Sequence, residues 1–138
     1  MKATVLIVED DIYNIEICED AFLFNRIPAK LVVAQTGEEA IQLAIDLQPA
    51  LILMDLRLPE MDGLEVTQLL RSDPRTAHIP VWAITAYAMP ADENRARAAG
   101  CCEYFVKPLR LSVLSERIRA FLNAIPEPAT QSCADLTA

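Results

Sequence analysis

Chemistry-bearing side chains in this sequence collect where short apolar runs stop. VLIV at 5–8 runs into Glu9, Asp10 and Asp11, LILM at 51–54 into Asp55, VWAI at 81–84 into Thr85, and YFV at 104–106 into Lys107 and Pro108. Carboxylates brought to one place repel, and one must keep its proton unless a cation shares the site. A donor set made only of oxygens favours a hard cation. A few carboxylates with room for water suit Mg²⁺ better than an all-protein calcium cage. A lone lysine facing such a metal suits a ligand with several anionic oxygens, such as a phosphoryl group, which the metal, Lys107 and Thr85 could each hold by a different oxygen. A carboxylate can itself accept a phosphoryl group as an acyl phosphate, and the central one, Asp55, is the natural acceptor. Taken singly, each residue has an ordinary reading: acids at a helix start, a turn cap, a strand threonine, a surface lysine. Their recurrence at successive run ends is what points to chemistry.

Those runs must be strands for the residues to converge. Thr4–Val8, Lys30–Ala34, Leu51–Met54, Val81–Ile84 and Tyr104–Val106 are mostly continuously apolar, the pattern of strands covered on both faces of a parallel sheet. Segments of helical period separate them. Ile12, Ile15, Cys18 and Phe22 recur at three- and four-residue steps, and Thr36-Gly-Glu-Glu39 is a capping-box pattern opening a helix over Glu38–Leu47. Asp62-Gly63 precedes a helix over Leu64–Arg71, Asp92–Ala99 ends at the C-cap residue Gly100, and Leu114, Ile118, Phe121, Leu122 and Ile125 stripe a last helix. Five strands alternating with five helices predict an α/β doubly wound parallel sheet with right-handed crossovers. In such sheets ligands bind outside the carboxyl ends of the strands, where the polar residues fall. The second strand alone brings no charge there, only Gln35 and Thr36.

At 138 residues the chain fits one domain, on a scale of roughly 100–200 residues each. We place that domain at 1–125 and read the proline-broken 126–138 as a flexible tail. The net charge of −8 argues against direct nucleic-acid contact. No apolar run reaches the ~18 residues of a membrane span, and acids cut short the apolar start, so neither membrane nor secretion is expected and the location is cytoplasmic. Cys18, Cys101, Cys102 and Cys133 show no metal-finger spacing. The adjacent pair Cys101–Cys102 has Cα atoms only ~3.8 Å apart, too close for a strain-free disulfide, so four thiols are expected. One histidine, His78, excludes a histidine-rich metal site and reads as a loop residue.

The stretches VLIVEDD at 5–11, LILMDLRLPEMDG at 51–63, IPVWAITAYA at 79–88 and AAGCCEYFVKPL at 98–109 resemble a two-component response-regulator receiver domain, the chemotaxis-type (CheY-like) fold, across residues 3–124. The resemblance implies a flavodoxin-like strand order 2-1-3-4-5. It makes Asp55 the phosphoacceptor, Glu9 and Asp10 the acidic pair holding Mg²⁺ with Asp55 and the backbone carbonyl of Arg57, and Lys107 the lysine on the phosphoryl group. Glu9 is one methylene longer than the usual aspartate and would act through water, and Asp11 is peripheral. Thr85 and Tyr104 match the switch hydroxyl and switch aromatic, and the Lys107–Pro108 bond is typically cis. Arg57 and Tyr87 sit two residues after Asp55 and Thr85, where large side chains would restrict water and slow dephosphorylation.

The implied function is a phosphorelay switch, not an enzyme beyond its own phosphorylation and dephosphorylation. A sensor histidine kinase or phosphotransfer protein would donate to Asp55, and the face of the fourth helix, fifth strand and fifth helix would change affinity for a protein target. AITAYAM resembles the DivK-like single-domain class, and Met1 together with the tail suggests a stand-alone regulator, monomeric or a weak homodimer. A receiver excised from a hybrid kinase and a phosphorylation-independent scaffold are the alternatives. A haloacid-dehalogenase-type phosphatase needs an acid where Arg57 stands, and a flavodoxin needs a hydroxyl- and glycine-rich loop where this chain has EDDIYN.

Overall fold

The apolar runs pair side by side, all parallel, into one sheet of five strands in the order β2-β1-β3-β4-β5. They are β1 (Ala3–Val8), β2 (Ala29–Ala34), β3 (Leu51–Asp55), β4 (Val81–Thr85) and β5 (Glu103–Val106). Between and after them come α1 (Ile12–Phe24), α2 (Gly37–Leu47), α3 (Gly63–Ser72), α4 (Pro90–Ala99) and α5 (Leu111–Ala124). This computed structural model describes residues 3–58, 61–86, 90–107 and 110–124. Tyr87, Pro108 and the 126–138 segment, all singled out above, lie outside the described residues. The strand order is the expected one. Ladder pairing carries β3 and β4 one residue further than their apolar runs, so that Asp55 and Thr85 are the last residues of strands.

Alternation along the strands divides the core into two layers. Leu6, Val8, Ile52, Met54, Val81 and Ala83 face α2, α3 and α4 through Ala40, Ala44, Val66, Leu70 and Ala96. Val5, Ile7, Leu51, Leu53, Trp82 and Ile84 face α1 and α5 through Cys18, Phe22, Leu114 and Ile118. Every residue of β3 and β4 is buried, which is why these runs are apolar without interruption. Trp82 closes the second layer, with ring centroids 5.6 Å from Phe105 and 5.4 Å from Phe121.

Helix ends are capped as the sequence suggests. Thr36 Oγ1 accepts from Glu39 N at 3.1 Å, and Glu39 Oε1 accepts in return from Gln35 N, one residue before the cap, at 2.7 Å. Asp11 and Asp62 cap α1 and α3 by accepting from Tyr13 N and Leu64 N. Gly100 takes the left-handed conformation (φ 116°) at the end of α4, as its type predicts. Arg26 and Gln48 also adopt it, at φ 51° and 48°, where a side chain costs roughly 1–2 kcal/mol. Gln48 offsets this with its own amide, which donates to the carbonyls of Ala44, Ile45 and Arg75.

Cys18 and Cys101 are free and buried. Cys102 is disulfide-bonded, which corrects the expectation of four thiols; the short Cα separation argues only against the adjacent pairing, and Cys101 is indeed free. No helix among the described residues is long and apolar enough to cross a membrane.

Candidate functional site

Parallel strands in register bring their carboxyl ends to one rim, so whatever follows each apolar run is gathered there. Val8 pairs with Met54, Asp55 with Ile84 and Thr85 with Val106, which places Glu9, Asp55, Thr85 and Lys107 on adjoining strand ends. Two backbone bonds hold the flanking residues in place: Glu9 N donates to Ala34 O at 2.9 Å and Lys107 N to Thr85 O at 2.7 Å.

Asp55 is 5% exposed and Glu9 4%. Lys107 Nζ bridges them, donating to Asp55 Oδ2 and to Glu9 Oε1 at 2.9 Å each. The remaining oxygens are also engaged: Asp55 Oδ1 accepts from Arg57 N at 2.9 Å and Glu9 Oε2 from Asp11 N at 3.3 Å. Asp10, exposed, completes a cluster in which one carboxylate oxygen each from Glu9, Asp10 and Asp55 lie within 4.8 Å of one another. Asp11 stands apart from that cluster as the α1 cap.

Two buried carboxylates sharing one ammonium cannot both ionise freely. The Glu9 pKa is pushed up to about 7, first by burial and then by its hydrogen bond with Asp55, against the lowering effect of Lys107. Burial on its own would lower the Lys107 pKa; hydrogen bonds to Asp55 and Glu9 outweigh it and hold the ammonium above its ordinary value. The donor set therefore carries excess negative charge that one ammonium does not neutralise. It is all oxygen and partly open at Asp10, which fits a hard divalent cation that retains water.

The floor beneath Asp55 is backbone. A Cβ on Gly63 would lie 2.5 Å from the Asp55 carbonyl oxygen and 2.6 Å from Leu56 Cα, so the start of α3 can approach β3 only without a side chain there. Gly63 N donates to Leu56 O at 3.1 Å in the same contact.

Thr85, 1% exposed, and Arg57 line a pocket of about 170 Å³ beside the acids, together with Asp92 and Arg95 of α4. Tyr104, on β5 opposite Ala83, is half-buried against the first core layer. Its phenol pKa is raised by burial and by Asp92 and Glu93. Glu9, Asp10, Asp55, Thr85 and Lys107 are thus brought to one rim, with Arg57 and Tyr104 at its α4 side. Two features escaped the sequence reading. One is the Glu9–Lys107 ion pair, since the sequence pattern points Lys107 to an incoming anionic group alone. The other is the contact of Gly63 with Asp55, for which the only signal is a glycine directly following a helix cap.

With this geometry in hand, comparison with known proteins is specific. A family model of the response regulator receiver domain matches residues 5–119. The polar-differentiation response regulator DivK of Brucella ovis is 42% identical over 123 residues, 89% of this chain and 98% of the relative, and DivK of Brucella melitensis gives the same figures. The solved receiver domain of sensor histidine kinase PA1611 from Pseudomonas aeruginosa PAO1, with magnesium coordinated in its active-site cleft, superposes with a TM-score of 0.79. It is 26% identical, over 90% of this chain and 100% of that one. A putative response regulator from Chloroflexus aurantiacus reaches 0.81 at 28% identity, over 89% of this chain and 99% of that one.

Proposed function

The chain belongs to the response-regulator receiver domain family, and from that membership we propose that it is a cytoplasmic phosphorylation-dependent switch whose phosphoacceptor is Asp55. The observation that carries the reading is the Lys107 bridge: an ammonium 2.9 Å from the buried acceptor carboxylate, with a further acid on its other side.

The donor is a phosphohistidine on a sensor kinase or phosphotransfer protein. An Asp55 carboxylate oxygen attacks phosphorus, the O–P bond forms as the N–P bond breaks, and the electron pair leaves with the imidazole nitrogen. In this reading Lys107 neutralises the oxygens of the transferred group, and the Thr85 hydroxyl donates to one of them. Glu9, Asp10, Asp55 and the backbone carbonyl of Arg57 would hold Mg²⁺, which would supply further positive charge against the transferred oxygens. Once Thr85 turns toward the new oxygens, Tyr104 moves inward, and the face formed by α4, β5 and α5 changes its affinity for a protein target by population shift. Hydrolysis resets the switch. We assign Arg57 and Tyr87 to slowing that step from their sequence positions, two residues after Asp55 and Thr85, so Arg57→Ala and Tyr87→Ala each shorten the lifetime of phospho-Asp55; unchanged lifetimes remove this part of the reading.

The decisive experiment is intact mass after incubation with Mg²⁺ and acetyl phosphate or phosphoramidate, beside Asp55→Asn. The expected result is a gain of one phosphoryl group in the wild type alone, abolished by chelating the metal. A gain surviving Asp55→Asn means another acceptor. No gain with either donor or with a phosphorylated kinase leaves a scaffold that works without phosphorylation.

A further inference from the structure

At the pole of the sheet opposite the acidic rim, β4 and β5 begin and α5 ends. A groove of about 210 Å³ lies there, lined by Trp82, Cys102, Glu103, Arg117, Phe121 and Ala124. Cys101 and Cys102 are neighbours where the chain enters β5, so their side chains fall on opposite faces of the sheet. Cys101 belongs to the first core layer, its Sγ 3.9 Å from Thr67 Oγ1, and Cys102 to the second, with Trp82. The backbone of Cys102 is fixed: its N–H donates to Val81 O at 2.7 Å and its carbonyl accepts from Arg97 Nη1 at 3.0 Å. Burial pushes the thiols of Cys18 and Cys101 up to about 11, so both stay protonated and inert near neutral pH. Both are free, whereas Cys102 is disulfide-bonded. The chain holds four cysteines, and the fourth is Cys133, outside the described residues.

Chain length puts Cys133 within reach of Cys102. Ala124, the last residue of α5, lines the same groove as Cys102, and Cys133 follows it by nine residues. Nine residues span at most about 30 Å, several times the width of a groove made by a few side chains. Pro126 and Pro128 carry no N–H with which to extend α5. We propose that Cys102 and Cys133 form one reversible redox site, whose disulfide draws the 126–132 segment of this chain over the groove at Trp82 and Phe121. The bond forms by exchange with a small-molecule disulfide such as oxidised glutathione. The Cys133 thiolate attacks one sulfur of that reagent, breaks its S–S bond and releases one thiolate. The Cys102 thiolate then attacks the Cys133 sulfur and expels the second. The protein thiols give up two protons and two electrons, and the reagent leaves as two molecules of thiol. Disulfides in a reducing compartment are transient and sense redox state, so the reversibility rests on the cytoplasmic reading above. Reduction releases the segment and opens the groove. Both events occur at the far end of the strands from Asp55, and the site works without the phosphoacceptor.

The test is tryptic mapping of the full chain, without reductant, after equilibration with oxidised glutathione. Peptide 98–110 joined to 120–138 is the expected product in the wild type, in Cys101→Ser and in Asp55→Asn, and is absent from Cys102→Ser and Cys133→Ser. Millimolar reduced glutathione lowers the joined peptide about tenfold or more. Quenching of Trp82 emission by acrylamide rises about twofold on reduction of the wild type and stays level in Cys133→Ser. A wild-type chain without the joined peptide, or a joined peptide that persists in Cys102→Ser, overturns the pairing. A link that reduced glutathione leaves intact overturns the reversible site and makes the bond a fixed staple. Quenching that ignores reduction overturns the covering of the groove.

Discussion

The raised pKa of Glu9 makes the stability of the metal-free protein fall as pH rises across neutrality. Glu9 is buried and pushed up from 4.5 to about 7, so the folded state favours its protonated form. A carboxyl raised in this way contributes stability that is fully present below its unfolded pKa and lost as pH climbs through the folded one. The window thus runs from about pH 4.5 to just above 7, and the loss is 2.5 units at about 1.36 kcal/mol each, on the order of 3 kcal/mol. Other shifted groups act elsewhere. Asp73, lowered to about 2 by Arg75, contributes stability that disappears only in strong acid, and Lys107, raised, matters only at the alkaline end. Urea unfolding in chelator at successive pH values reads the effect. With a slope of about 2 kcal/mol per molar urea, the midpoint drops by about 1.5 M between pH 5 and 8.5. Glu9→Gln flattens that curve. Adding Mg²⁺ at pH 8 to about ten times its dissociation constant restores about 1.4 kcal/mol in the wild type, because the cation takes the proton's place. A wild-type midpoint that stays level or rises over this range, or an unaltered slope in Glu9→Gln, refutes the account of two buried carboxylates competing for one ammonium.

Three further outcomes follow from contacts already described. Gly63→Ala drives a Cβ into the Asp55 carbonyl and Leu56 Cα, atoms that cannot yield as a side chain can; thermal unfolding shows a loss of about 2–3 kcal/mol, and phosphorylation by small donors slows. Arg71→Met removes the guanidinium that donates to the carbonyls of Gly100, Ala77 and Ile79, tying the end of α3 to the end of α4. The expected loss by urea unfolding is about 3 kcal/mol, with amide exchange rising around Gly100. Thr36→Ala removes the α2 cap and costs about 1 kcal/mol without affecting Mg²⁺ binding, measured by unfolding and by calorimetric titration.

Most of the architecture was legible because burial on both faces forces continuous apolar runs, and β3 and β4 obey this at every position but their last, Asp55 and Thr85. The strand-end residues were legible for the same reason: a polar residue that breaks such a run marks the carboxyl end of the strand, where this fold gathers its ligand-binding groups. Element ends were less so. β1 and β2 each begin one residue early because Ala3 pairs with Ala29, a partnership that neither alanine announces. The αL turn at Gln48 was invisible because its compensation comes from the Arg75 carbonyl in another loop. Likewise, Arg71 reads as one more cation at a helix end; what it does depends on three carbonyls that only the packed loops supply. Pairwise electrostatics was the least legible layer. The sequence put acids and a lysine on one rim, but that Lys107 divides itself between Glu9 and Asp55 depends on side-chain reach.

Trp82 is the chain's one tryptophan, and its position gives the protein a native optical probe. Its ring lies between Phe105 and Phe121, in the layer on the α1 and α5 side, whereas Thr85 and Tyr104 belong to the opposite face of the same two strands. Phe105 follows Tyr104 directly in the chain, so motion of the tyrosine strand can reach the indole only through the sheet. Emission from Trp82 therefore distinguishes two kinds of molecule. If it shifts when the acidic rim is loaded, the sheet bends as a plate and both faces of the domain report the signal. If it holds steady, the sheet is a rigid partition, and a second partner could sit on the α1 and α5 side without sensing the switch.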